Sequence, residues 1–312
     1  MKKVTVFLIF LTVWCSGCVR DDLADCPPLQ IMVEVIDKNY ENIADAEALG
    51  MDVRKAEDLP FRSYVNSLYY VVTDMEGKVV KEQANFRIEN EDKEQLITLP
   101  SDLPYGKYAV TVWGNLSTTP VSPDDYRSLT LEGTAAAAAD VYLATASLDY
   151  QYGNERHKLG LKRTKGKLVI KGEGFPSHID YVKQKAVGLS QRVSRDFSYT
   201  GVEDKTSSAA WTSFENHLLH TVYAPTSDGQ ISKLKAVFYD QDVHPGEIDA
   251  PLDMDAIEEA TDTRIPAKAV EVGFSRNTIT LLKYAYDQLE SSMKIWVFVN
   301  GRWEVAHTME ID

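Results

Sequence analysis

The feature that most constrains this chain is its punctuation. Short runs of alternating apolar and polar residues recur along its length, and each stops at a turn signal. The clearest case is Lys-Ile-Trp-Val-Phe-Val at 294–299, followed by Asn300-Gly301 and a second β-like run at 302–306. Asn-Gly between two such runs is the strongest local hairpin signal, because a type I′ turn needs positive φ at both central residues. Strands are also predicted at 29–35, 67–74, 79–86, 95–99, 106–113 and 141–150. Further along they are predicted at 167–171, 181–189, 195–200, 217–223, 234–239 and 277–282. Gly77 after Met75-Glu76 marks a turn of the kind that tolerates positive φ.

Helical spacing is scarce. Residues 37–62 read as a long, partly helical excursion. Leu252, Ala256, Ile257 and Ala260 have the spacing of a short surface helix. The Ala-rich stretch 135–139 fits either a helical turn or a loop. Many short strands in a chain of 312 residues are too much for one β domain and natural for two. The expectation is an all-β protein: two β-sandwich domains in tandem, at 29–157 and 158–312, with a few short helices.

The start of the chain reads differently. Lys2-Lys3, an apolar run at 4–14 and Ser16-Gly17-Cys18 have the architecture of a secretory signal peptide with a lipoprotein-type processing site. The run is too short for a membrane span of roughly 20 residues. Residues 1–17 are therefore expected to leave, with cleavage between Gly17 and Cys18. The Cys18 thiol would take a diacylglyceryl group and the new amino terminus a further acyl chain. Two or more chains hold a protein on a bilayer stably. Residues 18–28 form a polar tether ending at Pro27-Pro28. Cys15 stands three positions before Cys18, where such signals usually carry Leu. The alternative is an ordinary signal peptide cut nearby, with Cys18 a free thiol.

Charge and cysteines narrow the partners. Acids outnumber bases 47 to 33, and the net charge is −14. That surface repels nucleic acid and anionic head groups, so no nucleic-acid partner is expected. With Cys15 removed and Cys18 alkylated, Cys26 has no intrachain partner. Asp25 and Pro27 beside it supply no base or cation, so it reads as a buried structural thiol. An exported chain without a disulfide framework must be stabilised by burial.

No catalytic constellation can be assembled. The sequence shows no phosphate-cradling Gly loop, no G-x-S-x-G elbow, no H-E-x-x-H and no paired C-x-x-C. His217 and His220 are three apart on a predicted strand, which sends them to opposite faces. Asp253, Asp255, Glu258 and Glu259 lack the Gly and ligand spacing of a calcium loop, and read as a solvated helix face. Asp240 and Asp242 before His244-Pro245-Gly246 read as turn residues. Trp113, Trp211, Trp296 and Trp303 could form a sugar platform, but Trp113 and Trp296 sit inside strands, which favours core packing. No enzyme activity, cofactor, metal or small-molecule substrate is assigned.

Three segments carry a resemblance to a known family. They are Asp25-Cys26-Pro27-Pro28 opening into the first strand, Gly106-Lys107-Tyr108 leading through Val110 and Val112 to Trp113-Gly114-Asn115, and Arg276-Asn277 before Thr278-Ile279-Thr280. With the leader and Cys18, their order and spacing resemble the FimB-type fimbrial anchor and minor-subunit lipoproteins of Bacteroidales. Val19-Arg20-Asp21-Asp22 is similar to the acidic tag that sends some Bacteroidetes-type lipoproteins to the outer leaflet. The resemblance implies transthyretin-like sandwiches on the cell outer membrane, held by lipid, joined to fimbrial stalk subunits by strand addition. It carries over no catalytic residue. The competing readings are a surface lipoprotein that binds carbohydrate or another ligand without pilus assembly, and a hydrolase whose site is not visible in the sequence.

Overall fold

The alternating runs fold as strands. The computed structural model describes residues 27–116, 127–131, 140–210, 217–226, 231–247, 250–256 and 259–310. The first half contains β1 (Gln30–Val35), a short helix α1 (Ile43–Ala48), β2 (Ser67–Asp74), β3 (Val79–Arg87), β4 (Gln95–Thr98), β5 (Gly106–Gly114), β6 (Ser128–Thr130), β7 (Tyr142–Tyr150) and β8 (Arg156–Arg163). The second half runs through β9 (Gly166–Glu173), β10 (Tyr181–Leu189), β11 (Arg192–Ser194), β12 (Tyr199–Thr200), β13 (Glu203–Ala210) and β14 (His217–Tyr223). It continues with β15 (Ser232–Tyr239), β16 (Arg264–Pro266), β17 (Val270–Val272), β18 (Ile279–Asp287), β19 (Ser292–Val299) and β20 (Arg302–Glu310).

The architecture is an all-β sandwich, twice over. In the first half the strand order is β3-β2-β5-β7-β8-β1-β4. The ladder is nearly broken between β7 and β8, where Tyr142 and Leu143 pair with Arg163 and Lys162. There the sheet folds over on itself, and Ile31, Val33 and Leu161 meet Tyr70, Val72 and Val112 in one core. β8 lies parallel to β1 along Arg156 to Leu161, so it belongs to the first sheet across positions 157 and 158. In the second half the sheet β14-β9-β18-β19-β20 faces the sheet β13-β10-β15-β16, with β17 also on β15. Leu168, Ile170, Leu282 and Ile295 fill the space between them with Val182, Ala236, Phe238 and Ile265. Facing apolar sheets of this kind are the standard way for strands to bury one face each.

Several sheet faces are buried twice. On β2, Leu68, Tyr70 and Val72 face the sandwich core, while Tyr69 and Val71 face outward beside Trp113 and Leu143. That outer face is covered by Val193, Phe197 and Tyr199 from the β11–β12 hairpin of the second half. The exchange is reciprocal. Val169, Ile279 and Leu281 form the outer face of the second half's β9–β18 pair. They are covered by Tyr40, Ile43, Ala46 and Met51 from the excursion between β1 and β2. Each half thus lends the other a strap. Double burial explains why Ser-Leu-Tyr-Tyr-Val-Val-Thr-Asp is apolar on both faces rather than alternating.

Local signals hold well at the turns. Asn300 and Gly301 have φ of 50° and 77°, as a type I′ turn requires, and Gly77 has φ of 85°. Three expectations need correction. The 195–200 run is a hairpin turn with strand only at β12. The Asp196 carboxylate accepts the Ser194 hydroxyl and the Ser198 N–H, and Phe197 turns through φ of 65°. The expected helix at 252–260 does not form over 252–256. There Lys235 Nζ donates to the carbonyls of Asp253 and Ala256 at 2.7 and 2.9 Å, taking acceptors a helix would use. Trp296 is not a core residue. It lies on the outer face of its sheet, with Lys283 Nζ 5.3 Å from its ring centroid.

Candidate functional site

The densest polar chemistry lies where the two halves meet, and Arg163 at the end of β8 is its centre. The side chain is 2% exposed. Its guanidinium lies 3.0 Å from the Asp140 carboxylate, donates to Asn277 Oδ1 at 2.5 Å and to the Tyr142 hydroxyl at 2.9 Å, and stacks 4.0 Å from the Tyr40 ring centroid. Tyr40 donates to Asp140 at 2.9 Å. A fixed planar fork suits arginine for a site with so many partners. Burial lowers the Arg163 pKa, but Asp140 and the two tyrosines more than offset this, so the guanidinium stays charged. Burial, then the Asp140 charge, pushes Tyr40 well above the usual phenol range.

The network ties first-half residues to second-half residues. Arg276 bridges the Asp37 carboxylate at 2.9 Å and the Arg163 carbonyl at 3.0 Å. Asp37 also accepts the Arg163 N–H at 2.8 Å. Asn42 on the strap before α1 exchanges two 2.8 Å hydrogen bonds with the Ile279 backbone. Asn277 takes φ of 55°, a left-handed conformation that asparagine tolerates, and its carbonyl accepts the Glu41 N–H at 2.9 Å. A Cβ on Gly166, just past Lys165, would stand 2.4 Å from the Ser275 carbonyl, so the chain must be glycine there for the loop before β18 to pack against the start of β9.

Two of the segments singled out in the sequence, Trp113-Gly114-Asn115 and Arg276-Asn277, fall on this junction. Trp113 is buried under the second half's hairpin. Asn115, at φ of 61°, accepts the Asn66 N–H and donates to the carbonyls of Tyr64 and Asp140. Arg276-Asn277 supplies the other side. Sequence reasoning missed Arg163, Asp37, Asp140 and Lys165. The available signal was Lys162, Arg163, Lys165 and Lys167: four cations within 162–167 of an acidic chain, at the seam between two apolar runs.

A cavity of about 600 Å³ opens beside the network. The excursion contributes Lys38, Asp52 and Lys55, the seam contributes Arg163 and Lys167, and β13 and β14 supply the far wall. Lys167 pairs with Asp52 at 2.6 Å.

The other sequence candidates do not converge. His220 on β14 reaches the cavity rim. Asp240 caps a turn by accepting the Asp242 N–H at 3.1 Å, as expected. Asp253 accepts the Asp255 N–H in a loop. Trp303 packs edge-on against Phe298. Among the described residues, no three His, Cys, Asp or Glu side chains come together as a metal site. Gly17, Cys18, Cys15, Cys26, Trp211, Glu258 and 135–139 lie outside the described residues. Among the described residues, no helix is long and apolar enough to cross a membrane.

Comparison with known proteins places the fold. No protein-family model and no curated relative matches the sequence. Solved structures do. A proposed adhesin from Bacteroides ovatus superposes with a TM-score of 0.53 at 14% identity, over 94% of this chain and 98% of that one. A proposed polysaccharide-binding protein from Bacteroides thetaiotaomicron gives 0.53 at 12% identity, over 89% and 98%. The chain therefore shares the all-β fold of these two structures. The fimbrial anchor protein Mfa2 from Porphyromonas gingivalis aligns at 0.44 and 13% identity, over 90% and 100%.

Lys165 gives the junction a pH signature. It is 1% exposed. Burial, then the charge of Lys205, pushes its pKa down to about 7. Between pH 7 and its ordinary value near 10, the unfolded chain holds this proton and the folded chain does not. Stability from this group therefore rises with pH across that window, by up to about 1.4 kcal/mol per pH unit. In urea titrations, the stability difference between the natural chain and Lys165→Met should shift steadily in favour of the natural chain from about pH 7 to 9.5. A difference constant across that range would mean the lysine keeps an ordinary pKa.

Proposed function

We propose that this chain is a fimbrial subunit, held on the outer membrane by lipid at Cys18 and joined to other subunits through an exposed sheet edge. In this reading 29–163 and 166–310 act as the two domains. The observation that carries the proposal is β20. It is nine residues long, ends its sheet, and has no strand hydrogen-bonded to its outer side among the described residues, with β17 of the facing sheet nearby. A two-residue hairpin makes Val299 and Arg302 the closing hydrogen-bonded pair, so the N–H groups of Trp303 and Val305 point away from β19. Val305 is half exposed. An edge with free ladder groups and apolar side chains is a template for a partner's extended segment.

The cross-strapped core suits a mechanical role. Load entering at β20 passes through β19 and β18 into β9 and the Arg163 network, then through β8 and β1 toward the lipid-bearing end. The chain contributes binding and strength, and no catalysis. The proposed adhesin that shares its fold supports this reading.

Two substitutions test it. Val305→Pro removes one outward ladder donor and should abolish recovery of the protein in sheared fibres, with its thermal midpoint within a few degrees of the parent. Normal incorporation would exclude β20 as the joining edge. Cys18→Ser should move the protein from the membrane fraction to the medium, and should release fibres with it. Full retention would mean that something other than the lipid anchors it.

A further inference from the structure

The cavity at the junction has features that strand joining does not use. Its lining contains five cations, Lys38, Lys55, Arg163, Lys167 and Lys205, and two carboxylates, Asp52 and Asp140. This is a local reversal in a chain of net charge −14. The two carboxylates are engaged by Arg163 and Lys167. Glu203 acts on Lys205 from outside the lining. Lys38 and Lys55 donate to the Glu57 and Ser63 carbonyls beside the Tyr64 ring, and Lys205 donates to the Val222 carbonyl at 3.0 Å; carbonyl contacts do not cancel charge, so the lining is net positive.

The cavity is also walled by hydroxyl and amide groups. β13 and β14 are outer strands of the two facing sheets, so the cavity is the mouth of the sandwich's open side. Thr206, Ser207, Ser208 and Thr221 line this mouth. Gln184 forms the floor and is fully buried. Its Nε2 donates to Thr221 at 2.6 Å and to Ser207 at 3.3 Å, while its Oε1 has no hydrogen-bond partner among the described residues. A buried acceptor left unmet is costly, and a small shift of the amide toward the cavity would let a ligand hydroxyl supply the missing donor.

We propose that this cavity is a binding site for a carboxylated saccharide, such as a uronic or sialic acid unit. The carboxylate would sit among the lysines, where charge-assisted hydrogen bonds are strongest. Sugar hydroxyls would meet the hydroxyl wall and the Gln184 amide. The volume falls within the roughly 300–1,000 Å³ range of small-ligand sites. The cavity is walled by six separate segments, which fits a compact sugar unit better than a long extended peptide. Burial holds the Lys205 pKa below that of an ordinary lysine, so a bound anion there also stabilises its charged form.

The test is calorimetric titration of the full-length chain in detergent with trigalacturonate, sialyllactose, lactose and an acidic hexapeptide. Trigalacturonate or sialyllactose should bind, and lactose should bind at least about tenfold more weakly. Lys205→Gln and, separately, Lys38→Gln should each weaken the acidic sugar by about tenfold, with unchanged thermal melting. Lys283→Gln on the outer sheet face should have no effect. Equal binding of lactose, binding of the peptide alone, loss of affinity only with Lys283→Gln, or no binding of either acidic sugar at millimolar concentration would each overturn the proposal. Fibre assembly is not a readout here, so the result is independent of the role of β20.

Discussion

Arg163 is a charge buried at the one place where neither sandwich is complete without the other. An isolated guanidinium there would be strongly destabilising, because its hydration is lost. It is tolerated because Asp140, Asn277 and Tyr142 all meet it and Tyr40 covers it. Those partners come from the start of β7, the loop before β18 and the excursion after β1. Fixing one side chain therefore fixes three segments of distant sequence. Arg276 and Asp37 repeat the arrangement beside it.

The straps explain why such a junction forms. A sandwich needs one apolar face per sheet, and these sheets have two. Trp113 and Tyr69 would be exposed on the first half without Val193 and its hairpin. Ile279 and Leu281 would be exposed on the second without Ile43 and Met51. Burying both outer faces by exchange makes each half's stability depend on the other. It also leaves the polar cavity between the first strap and the open side of the second sandwich, where strand edges and lysines face the same space.

Much of the fold was legible in the sequence because alternation and turn chemistry are local. The Asn300-Gly301 hairpin and the strands around Tyr70, Val110 and Phe238 follow directly from their residues. β13 was not legible, since Glu-Asp-Lys-Thr-Ser-Ser-Ala-Ala has no apolar face to announce a strand. It is held by pairing with β10. The 252–260 spacing misled because a lysine from another strand takes its carbonyls, and no local pattern encodes that. The site was half legible. Trp113, Asn115, Arg276 and Asn277 stood out as segments. Arg163 and Lys165 looked like ordinary surface cations, because their burial depends on a partner domain that the local sequence does not specify.

The central claim is that the two sandwiches, exchanging straps across the Arg163 network, form one cooperative body. Scanning calorimetry of the full-length chain in detergent tests this most directly. The structure requires a single transition whose calorimetric and van't Hoff enthalpies agree. Two separated transitions, each carrying about half of the enthalpy, would show that the halves fold independently and that the junction is only a contact.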